Sequence, residues 1–419
     1  MIAQYPPMGW NSWDCWGAAV TEDIVRKNAE YMAAHLKPFG WEYIVVDIQW
    51  YQPTATNHSY APFAPLTMDG CGRLQPAVNR FPSAEGGKGF RPLADYVHSL
   101  GLKFGIHIMR GVPREAAYKQ LPIEDSEWSC ADAANPNDVC AWNPDMYGTR
   151  ADTRAAQDYY NSIFRMYADW GVDFVKCDDI AREYPRCRRE IEVISEACRG
   201  SGRDIVLSLS PGPAPLEQAE HLKTWANMWR VTDDFWDDWT LLKGMFERAQ
   251  KWCGHAGPGH WPDQDMLPVG ALRQCEDPED RTRFTPAEQR TMMTLWCMVR
   301  SPLMIGGELP KTDPQTLRLL TNAPLLAIEK ETVGARCLRL TENEAIFAAY
   351  RREGGGYIAL FNLSDQPRQL VCPPELHELG SVSARELWSG DVVPDGSLNL
   401  CLSAHDCAVY RFSGAQAER

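Results

Sequence analysis

Aspartates at the ends of short apolar runs are the residues of this sequence best suited to chemistry. The runs YIVVDIQW, VDFVKCDD, MWRVTDD and HWPDQDML carry, in chain order, Asp47, the pair Asp178 and Asp179, the pair Asp233 and Asp234, and Asp263 with Asp265. Two cations lie close by in the sequence: Lys176 precedes Asp178 and Asp179, and Arg230 precedes Asp233 and Asp234. Carboxylates that converge on one mouth would form either a metal site or the carboxylate pair of a glycoside hydrolase.

The two cations, Lys176 and Arg230, favour glycoside hydrolysis over a metal site. A fixed positive charge keeps neighbouring carboxylates ionised and suits sugar hydroxyls, whereas it repels a divalent metal ion. We therefore expect no metal and no organic cofactor. In glycoside hydrolysis one carboxylate attacks the anomeric carbon and a second, protonated one donates to the leaving oxygen. Asp178 beside Lys176 suits the nucleophile and Asp234 the acid/base, although spacing alone leaves Asp179 and Asp233 as alternatives.

Eight short apolar runs predict the strands that must position these residues. The other four runs are YPPMGW, KFGIHIMR, DIVLSLSP and SPLMIGGEL. Amphipathic stretches that predict helices lie between most of the runs, at 21–36, 91–100, 153–170, 187–199, 235–253 and 286–300. Buried strands that alternate with helices form parallel sheets, so residues 1–325 are predicted to form a (β/α)8 barrel. In such barrels the active site lies at the carboxyl ends of the strands, which makes Trp10, Trp13 and His107 further candidates.

The pattern changes in the last part of the chain. From Arg336 onward, short alternating runs such as AIFAAYRR and GYIALFNLS are separated by turn signals such as EGGG and PDGS. Residues 326–419 are therefore predicted to form an antiparallel β-sandwich. We expect this domain to pack against the barrel rather than to carry the chemistry.

Composition limits the partners. The formal net charge is −14, which disfavours nucleic acid and an anionic membrane because phosphate binding needs clustered lysine and arginine. A neutral substrate fits better. Aromatic faces can stack on sugar rings, although most of the 16 tryptophans and 15 tyrosines are expected to fill the core. A homo-oligomer is compatible with these features.

Cysteine usage and hydropathy indicate a cytoplasmic location. The 14 cysteines show no C-x-x-C pair and no zinc-binding spacing. We expect free thiols, although Cys130 and Cys140 flank a loop and could pair. MIAQYPPMGW runs directly into the fold without a signal sequence, and no apolar run approaches membrane length.

The motifs, taken in order, resemble those of glycoside hydrolase family 27, the retaining α-galactosidases and α-N-acetylgalactosaminidases. The matching segments are PPMGWNSW, the strand that ends at Asp47, VKCDD, WRVTDD and WPDQDML. They span the predicted barrel. The resemblance implies a (β/α)8 barrel followed by a Greek-key β-sandwich, in agreement with the periodicity.

The resemblance also implies a role for each residue. Asp178 would be the nucleophile and Asp234 the acid/base, with their carboxyl groups about 5 to 5.5 Å apart as in retaining enzymes. Trp13 would be the platform on which the sugar stacks. The hydroxyl ligands would be Asp47, Lys176, Arg230 and Asp265.

Three positions depart from the family pattern. Ile48 replaces the second of two adjacent aspartates that hold O4 and O6 of galactose in family α-galactosidases. His107 stands where a tyrosine is usual, and we expect it to contact the sugar, with a hydrogen-bonded wall residue as the alternative. Ile180 replaces a cysteine that usually forms a disulfide, which fits a reducing compartment.

Ile48 narrows the choice of sugar. A sugar hydroxyl that faces an alkyl group loses a hydrogen bond worth about 1 to 3 kcal/mol, whereas a sugar without that group loses nothing. β-L-Arabinopyranose has the ring configuration of α-D-galactopyranose without C6. The sequence therefore predicts a β-L-arabinopyranosidase with weaker α-galactosidase activity. The alternatives are a plain α-galactosidase, in which Ile48 only packs against the barrel rim, and an inactive sugar-binding protein on the same fold.

Overall fold

A parallel barrel forms the first three quarters of the chain. The structure is a computed structural model that describes residues 1–184, 186–371, 384–393 and 399–412. Within these residues eight strands form one parallel sheet, and each coincides with one of the predicted runs. They are β1 Met8–Asn11, β2 Tyr43–Val46, β3 Lys103–Met109, β4 Phe174–Asp178, β5 Val206–Leu209, β6 Met228–Arg230, β7 Trp261–Asp263 and β8 Leu303–Ile305.

The sheet curls until its ends meet. Its strand order is β7-β6-β5-β4-β3-β2-β1-β8, so β8 pairs with β1. A single parallel bridge between Leu267, just after β7, and Ile305 joins the two edges. Apolar side chains from alternate strand positions, among them Val45, Phe174 and Trp261, pack together in the barrel interior. This closed core fixes the strand ends that carry the polar residues.

Eight helices alternate with the strands in the described residues, as in a (β/α)8 barrel. They are α1 Glu22–Tyr31, α2 Arg91–Ser99, α3 Arg154–Trp170, α4 Arg188–Gly200, α5 Ala219–Trp225, α6 Trp239–Trp252, α7 Pro286–Val299 and α8 Pro314–Leu320. Further helical turns occur at Trp13–Trp16, Arg114–Tyr118, Cys130–Ala133, Ala323–Leu326 and Ile328–Glu331. Local signals set the ends: Thr153 caps α3, and Gly171 ends it in a left-handed conformation at φ 82°. The sequence prediction missed α5 and α8, which at seven residues are too short for a clear helical period.

Antiparallel sheets follow the barrel. The strands are β9 Thr332–Leu340, β10 Glu344–Arg351, β11 Gly356–Asn362, β12 Arg368–Val371, β13 Ala384–Glu386, β14 Val392–Val393, β15 Asn399–Leu402 and β16 Cys407–Phe412. One sheet has the order β9-β10-β11-β16-β13-β14, and β12 pairs with β15 in a second sheet. Both sheets are antiparallel, as predicted, and Phe347 and Phe361 pack on Phe246 of α6. The division of the chain at residue 325 into two domains remains a prediction.

Two smaller expectations concern thiols and membranes. Every cysteine in the described residues is free, including Cys130 and Cys140, so the disulfide that their spacing allowed does not form. Within the same residues, the helices all fall short of the length and apolarity needed to cross a bilayer.

A buried arginine ties the end of β3 to the elements around it. The loop after β3 contains a small antiparallel sheet, formed by Val112–Pro113, Met146–Thr149 and Ala134–Val139, which the sequence did not predict. Arg110, only 1% exposed in its side chain, contacts Asp138 of this sheet at 2.8 Å, Asp179 after β4 at 3.0 Å and Glu190 of α4 at 3.1 Å. One guanidinium therefore compensates three carboxylates buried around it.

Replacing Arg110 by methionine should strongly destabilise the protein. Removal of one partner from a buried ionic cluster leaves uncompensated charge and costs about 3 to 5 kcal/mol. Arg186→Met is the matched control, because Arg186 contacts the same Asp138 but has 46% of its side chain exposed. We expect the control to cost about 0 to 1 kcal/mol. Urea unfolding measures both values, and equal losses would contradict the interpretation of Arg110.

Candidate active site

The period-2 alternation of the strands places polar side chains in a layer above the apolar interior. Along β4, Phe174 lies in the apolar layer, Lys176 lies above it and Asp178 ends the strand. In the same way Arg230 follows Met228 at the end of β6. Because neighbouring parallel strands are in register, these residues meet at one mouth.

Lys176 and Asp47 form the centre of the polar layer. The Lys176 Nζ lies 2.9 Å from Asp47 Oδ2, and the amide of Asn11 donates to the same oxygen at 2.7 Å. Burial by itself raises the pKa of Asp47, but Lys176, His107 and Asn11 together outweigh it, so the net pKa is lowered. Asp47 is therefore an ionised carboxylate although it is only 1% exposed.

Asp178 is held as an ionised carboxylate by three donors. The Nε2–H of His107 donates to Oδ2 at 3.0 Å, while the Ser210 hydroxyl and the Asp179 backbone N–H each donate to Oδ1 at 3.0 Å. Burial raises the pKa of Asp178, but the hydrogen bond and charge of His107 and the nearby charge of Lys176 lower it by more than burial raises it. The net pKa is therefore well below its usual value. His107 is thus buried and orients this carboxylate, and its contact with a sugar remains a prediction.

Asp179 differs from its neighbour in every contact. Its Oδ2 lies 3.0 Å from Arg110, and Arg110 Nε donates to its backbone oxygen at 2.6 Å. Burial raises the pKa of Asp179 to about 6. Asp178 lines a cavity together with Trp13 and Lys176, whereas Asp179 belongs to the Arg110 cluster.

Asp233 and Asp234 also differ in their surroundings. Asp234 lines the same cavity, and its Oδ1 lies 3.1 Å from Arg230. Asp233 is bound by Arg182 at 2.6 Å instead. The side chain of Asp234 is 56% exposed, so this carboxyl faces solvent at the cavity rim.

Arg230 links Asp234 to the aspartates after β7. Its Nη2 lies 2.7 Å from Asp265 Oδ2, which also accepts the backbone N–H of Phe235 at 2.7 Å. The pKa of Asp265 is raised to about 7, because burial and the nearby charges of Asp234 and Asp263 raise it by more than the charge of Arg230 lowers it. Asp263 accepts the Asp265 backbone N–H at 2.9 Å and so shapes the turn.

Aromatic side chains form one wall of the mouth. Trp13 lines the cavity, and its ring lies nearly parallel to that of Tyr60, with 5.8 Å between centroids and 12° between planes. His58 packs edge-on against Trp13 at 5.2 Å. Tyr60, His58 and Trp236 lie in loops where the sequence shows no period, so sequence analysis missed them. Trp10, a sequence candidate, is fully buried, and its indole N–H donates to the Gly307 carbonyl.

Both isoleucines that depart from the family pattern are buried. Ile48 is 1% exposed and belongs to the main hydrophobic core, and its backbone N–H donates to Asp47 Oδ1 at 2.9 Å. Ile180 is fully buried in the same core. The Ile48 side chain is therefore packed in the core, while its backbone N–H binds the Asp47 carboxylate.

Asp14 is a site residue that sequence analysis missed. It lines the cavity beside Trp13, is 3% exposed, and its Oδ2 has no hydrogen-bond partner among the described residues. Burial raises its pKa well above the usual value, and the carboxylate of Asp265 raises it further. Its position immediately after the PPMGWNSW motif was the available signal. Burial of Asp14 at the cavity therefore favours the neutral form of its carboxyl group.

The chemistry of this mouth is that of carboxylates, cations and aromatic faces. An ionised buried carboxylate and a solvent-facing one border one cavity, as hydrolysis by a carboxylate pair requires. Lys176 and Arg230 lie among these carboxylates and compensate their charge. The expectation that the reaction at these carboxylates needs no metal and no cofactor remains a prediction.

Comparisons with known proteins agree with this geometry. The family model described as alpha galactosidase A matches residues 5–124 and 145–331. A β-L-arabinopyranosidase of glycoside hydrolase family 27 from Geobacillus stearothermophilus is 51% identical, with a TM-score of 0.95 over 100% of this chain and 98% of that one. A putative α-N-acetylgalactosaminidase from Bacillus halodurans is 48% identical, with a TM-score of 0.88 over 99% of each chain. An α-galactosidase from Cyamopsis tetragonoloba is 26% identical over 98% of this chain and 86% of that protein.

The neutral carboxyl of Asp14 should appear in the pH dependence of stability. Its pKa is raised in the folded state, so its contribution is fully present below the unfolded pKa of about 3.9 and is lost as pH rises toward the folded pKa, by about 1.4 kcal/mol per unit. Asp14→Asn removes this loss. The free energy of unfolding of the variant, relative to wild type, should therefore rise by about 1 kcal/mol between pH 5 and pH 6.

Asp23→Asn is the control for this measurement. The Asp23 side chain is 72% exposed, so the same change of charge should shift the free energy of unfolding by less than about 0.5 kcal/mol at either pH. Urea unfolding at pH 5 and pH 6 provides the comparison. A difference for Asp14→Asn that stays constant with pH would mean that Asp14 is ionised in the folded protein.

Proposed function

The chain belongs to glycoside hydrolase family 27, and on that premise we propose that it is a retaining exo-glycosidase that releases terminal β-L-arabinopyranosyl groups and cleaves α-galactosides more slowly. The observation that carries the choice of sugar is Ile48, a buried alkyl residue next in sequence to Asp47, whose backbone N–H binds the Asp47 carboxylate. The 51% identity to a β-L-arabinopyranosidase supports it, as does the similarity, also 51% identical with a TM-score of 0.95, to a variant of that enzyme in complex with arabinose.

Asp178 is the proposed nucleophile. Its lowered pKa keeps it ionised at neutral pH, as attack on the anomeric carbon requires. Donors from His107, Ser210 and the Asp179 backbone fix its orientation, which limits the reorganisation needed for attack. The attack expels the aglycone and leaves a covalent glycosyl-enzyme, which water then hydrolyses.

Asp234 is the proposed acid/base. Its position at the solvent-facing rim places it where an aglycone would leave and where water would enter. In the first step it gives a proton to the departing oxygen, and in the second it takes one from the attacking water. Arg230 keeps the carboxyl directed toward the cavity through its contact with Oδ1.

The remaining polar residues would bind the sugar. Asp47 and Lys176 offer an acceptor and a donor that are already paired and buried, and Arg230 with Asp265 offers a second pair. Trp13 supplies an apolar face for the C–H groups of the ring. Asp14 adds a neutral carboxyl, which can both donate to and accept from a hydroxyl.

Ile48 would exclude the hydroxymethyl group of galactose in two ways. The side chain occupies packed space in the core, and it offers no hydrogen bond to O6. A desolvated hydroxyl without a partner loses about 1 to 3 kcal/mol, or roughly ten- to a few-hundredfold in rate. A pyranose without C6 avoids both penalties. The α-galactosidase alternative requires that O6 reach some other polar group.

Replacement of Asp178 by alanine should abolish turnover and leave the fold intact. Loss of the nucleophile should lower kcat/KM on nitrophenyl β-L-arabinopyranoside by about 10³-fold or more. Asp179→Asn is the matched control, since Asp179 contacts Arg110 and an amide oxygen can still accept from it. We expect the control to keep activity within about tenfold of wild type. Equal losses in the two variants, with unchanged circular dichroism, would refute the assignment of Asp178.

The sugar preference can be measured on matched nitrophenyl glycosides. Wild type should have a higher kcat/KM on the β-L-arabinopyranoside than on the α-D-galactopyranoside, and a clear preference for the galactoside would overturn the proposal. Ile48→Asp should move the ratio toward the galactoside by about tenfold or more, because the new carboxylate can accept a hydrogen bond from O6.

Ile48→Ala distinguishes the steric effect of the side chain from the effect of a hydrogen bond to O6. It opens room beside Asp47 without adding an acceptor, so we expect a smaller shift of the ratio than for the aspartate variant. An unchanged ratio in both variants would mean that the side chain at position 48 does not face C5 of the sugar.

A further inference from the structure

Three side chains of two loops converge beside the mouth without a role in the proposed reaction. His58 lies in the loop after β2, and Cys275 and Glu276 lie in the segment after β7. His58 Nδ1 is 2.9 Å from Glu276 Oε1 and 3.6 Å from Cys275 Sγ, and the three potential ligand atoms all lie within 4.8 Å of one another. Imidazole, thiolate and carboxylate together are a ligand set for a borderline-soft divalent metal ion.

The hydrogen bonds of His58 leave its Nδ1 atom facing hydrogen-bond acceptors. Nε2 is 2.8 Å from the backbone carbonyl of Trp13, which can only accept, so Nε2 carries a hydrogen. In the neutral ring Nδ1 then has a lone pair, and that lone pair faces the Glu276 carboxylate. Two acceptors at this distance require a cation between them, which is either a proton or a metal ion. The hydrogen bond from Nε2 to a carbonyl is also the usual outer contact of a metal-binding histidine.

From this geometry we propose that His58 Nδ1, Cys275 Sγ and a Glu276 carboxylate oxygen bind one zinc-like divalent ion. Typical Zn–N and Zn–S lengths and a tetrahedral angle give an N···S separation of about 3.6 Å, the same as that between His58 and Cys275. They give an N···O separation of about 3.3 Å, longer than the 2.9 Å between His58 Nδ1 and Glu276 Oε1, so the Glu276 side chain must move to bind the ion. Its side chain is 49% exposed and free to do so, and solvent can supply a fourth ligand.

Binding would couple metal to the aromatic wall of the mouth. The metal–sulfur bond forms as the S–H bond breaks, and the proton passes to the solvent. The bound ion would join the loop after β2 to the segment after β7. His58 contacts the Trp13 carbonyl and lies against the rings of Trp13 and Trp236, at 5.2 and 5.8 Å. The metal would therefore clamp two loops next to the sugar platform and stabilise the folded protein.

Cobalt(II) is the probe for the coordination sphere. When Co²⁺ is added to chelator-treated protein, we expect one equivalent to bind per chain, with a thiolate-to-cobalt charge-transfer band and the visible bands of a tetrahedral site. Added Zn²⁺ should displace the Co²⁺ and so remove both the charge-transfer band and the visible bands. Cys275→Ser should lose the charge-transfer band, and His58→Gln should weaken binding at least tenfold. Cys401→Ser is the matched control, because Cys401 is an exposed thiol outside the cluster and its loss should leave the spectrum unchanged.

Thermal unfolding gives a second readout. Saturating Zn²⁺ should raise the melting temperature of wild type by several degrees and leave that of Cys275→Ser unchanged, since only a native-state ligand stabilises. The absence of a charge-transfer band in wild type, or a band that persists in Cys275→Ser, would overturn the proposal. These readouts do not depend on glycosidase activity, so the proposed function can fail or succeed separately.

Discussion

The buried ammonium of Lys176 is the interaction on which the site depends. Burial disfavours its charge, yet the carboxylates of Asp47 and Asp178 raise its pKa above the usual value, so it stays protonated. In turn it keeps both carboxylates ionised. Removal of any member would leave a buried charge uncompensated, at a cost of several kcal/mol. The parallel register of the strands, with Lys176 beside His107 of β3 and Ser208 of β5, holds these charges together.

Two buried cations cannot compensate every carboxyl group at the mouth. Lys176 holds Asp47 at 2.9 Å, and Arg230 holds Asp265 at 2.7 Å. The surplus is absorbed by protonation, since burial raises the pKa of Asp265 to about 7 and that of Asp14 well above its usual value. The site therefore contains both ionised acceptors and neutral carboxyl groups. A sugar hydroxyl needs both kinds of partner, because it donates one hydrogen and accepts others.

The sequence predicted the barrel well because its strands are buried on both faces. Each of the eight apolar runs became a strand, and the long amphipathic stretches became helices. Two features could not be read from local patterns, for physical reasons. Spacing alone did not separate Asp178 from Asp179, because the contact that distinguishes them comes from Arg110, which is distant in sequence and binds only the second carboxylate. The residues Tyr60 and His58 lie in an aperiodic loop whose path is set by tertiary packing.

The same charge balance gives a physical reason for an isoleucine at position 48. An aspartate there would add a carboxylate next to Asp47, which Lys176 already compensates. Because Arg230, the other buried cation of the mouth, is already bound to Asp234 and Asp265, one of the two carboxyl groups would have to be protonated or bound by donors from the substrate. In an α-galactosidase the hydroxyls of galactose can supply those donors. A substrate without the hydroxymethyl group offers one hydroxyl fewer to bind a second carboxylate. A buried, neutral alkyl side chain at position 48 adds no charge to the substrate-free site and needs no hydrogen bond from the smaller sugar.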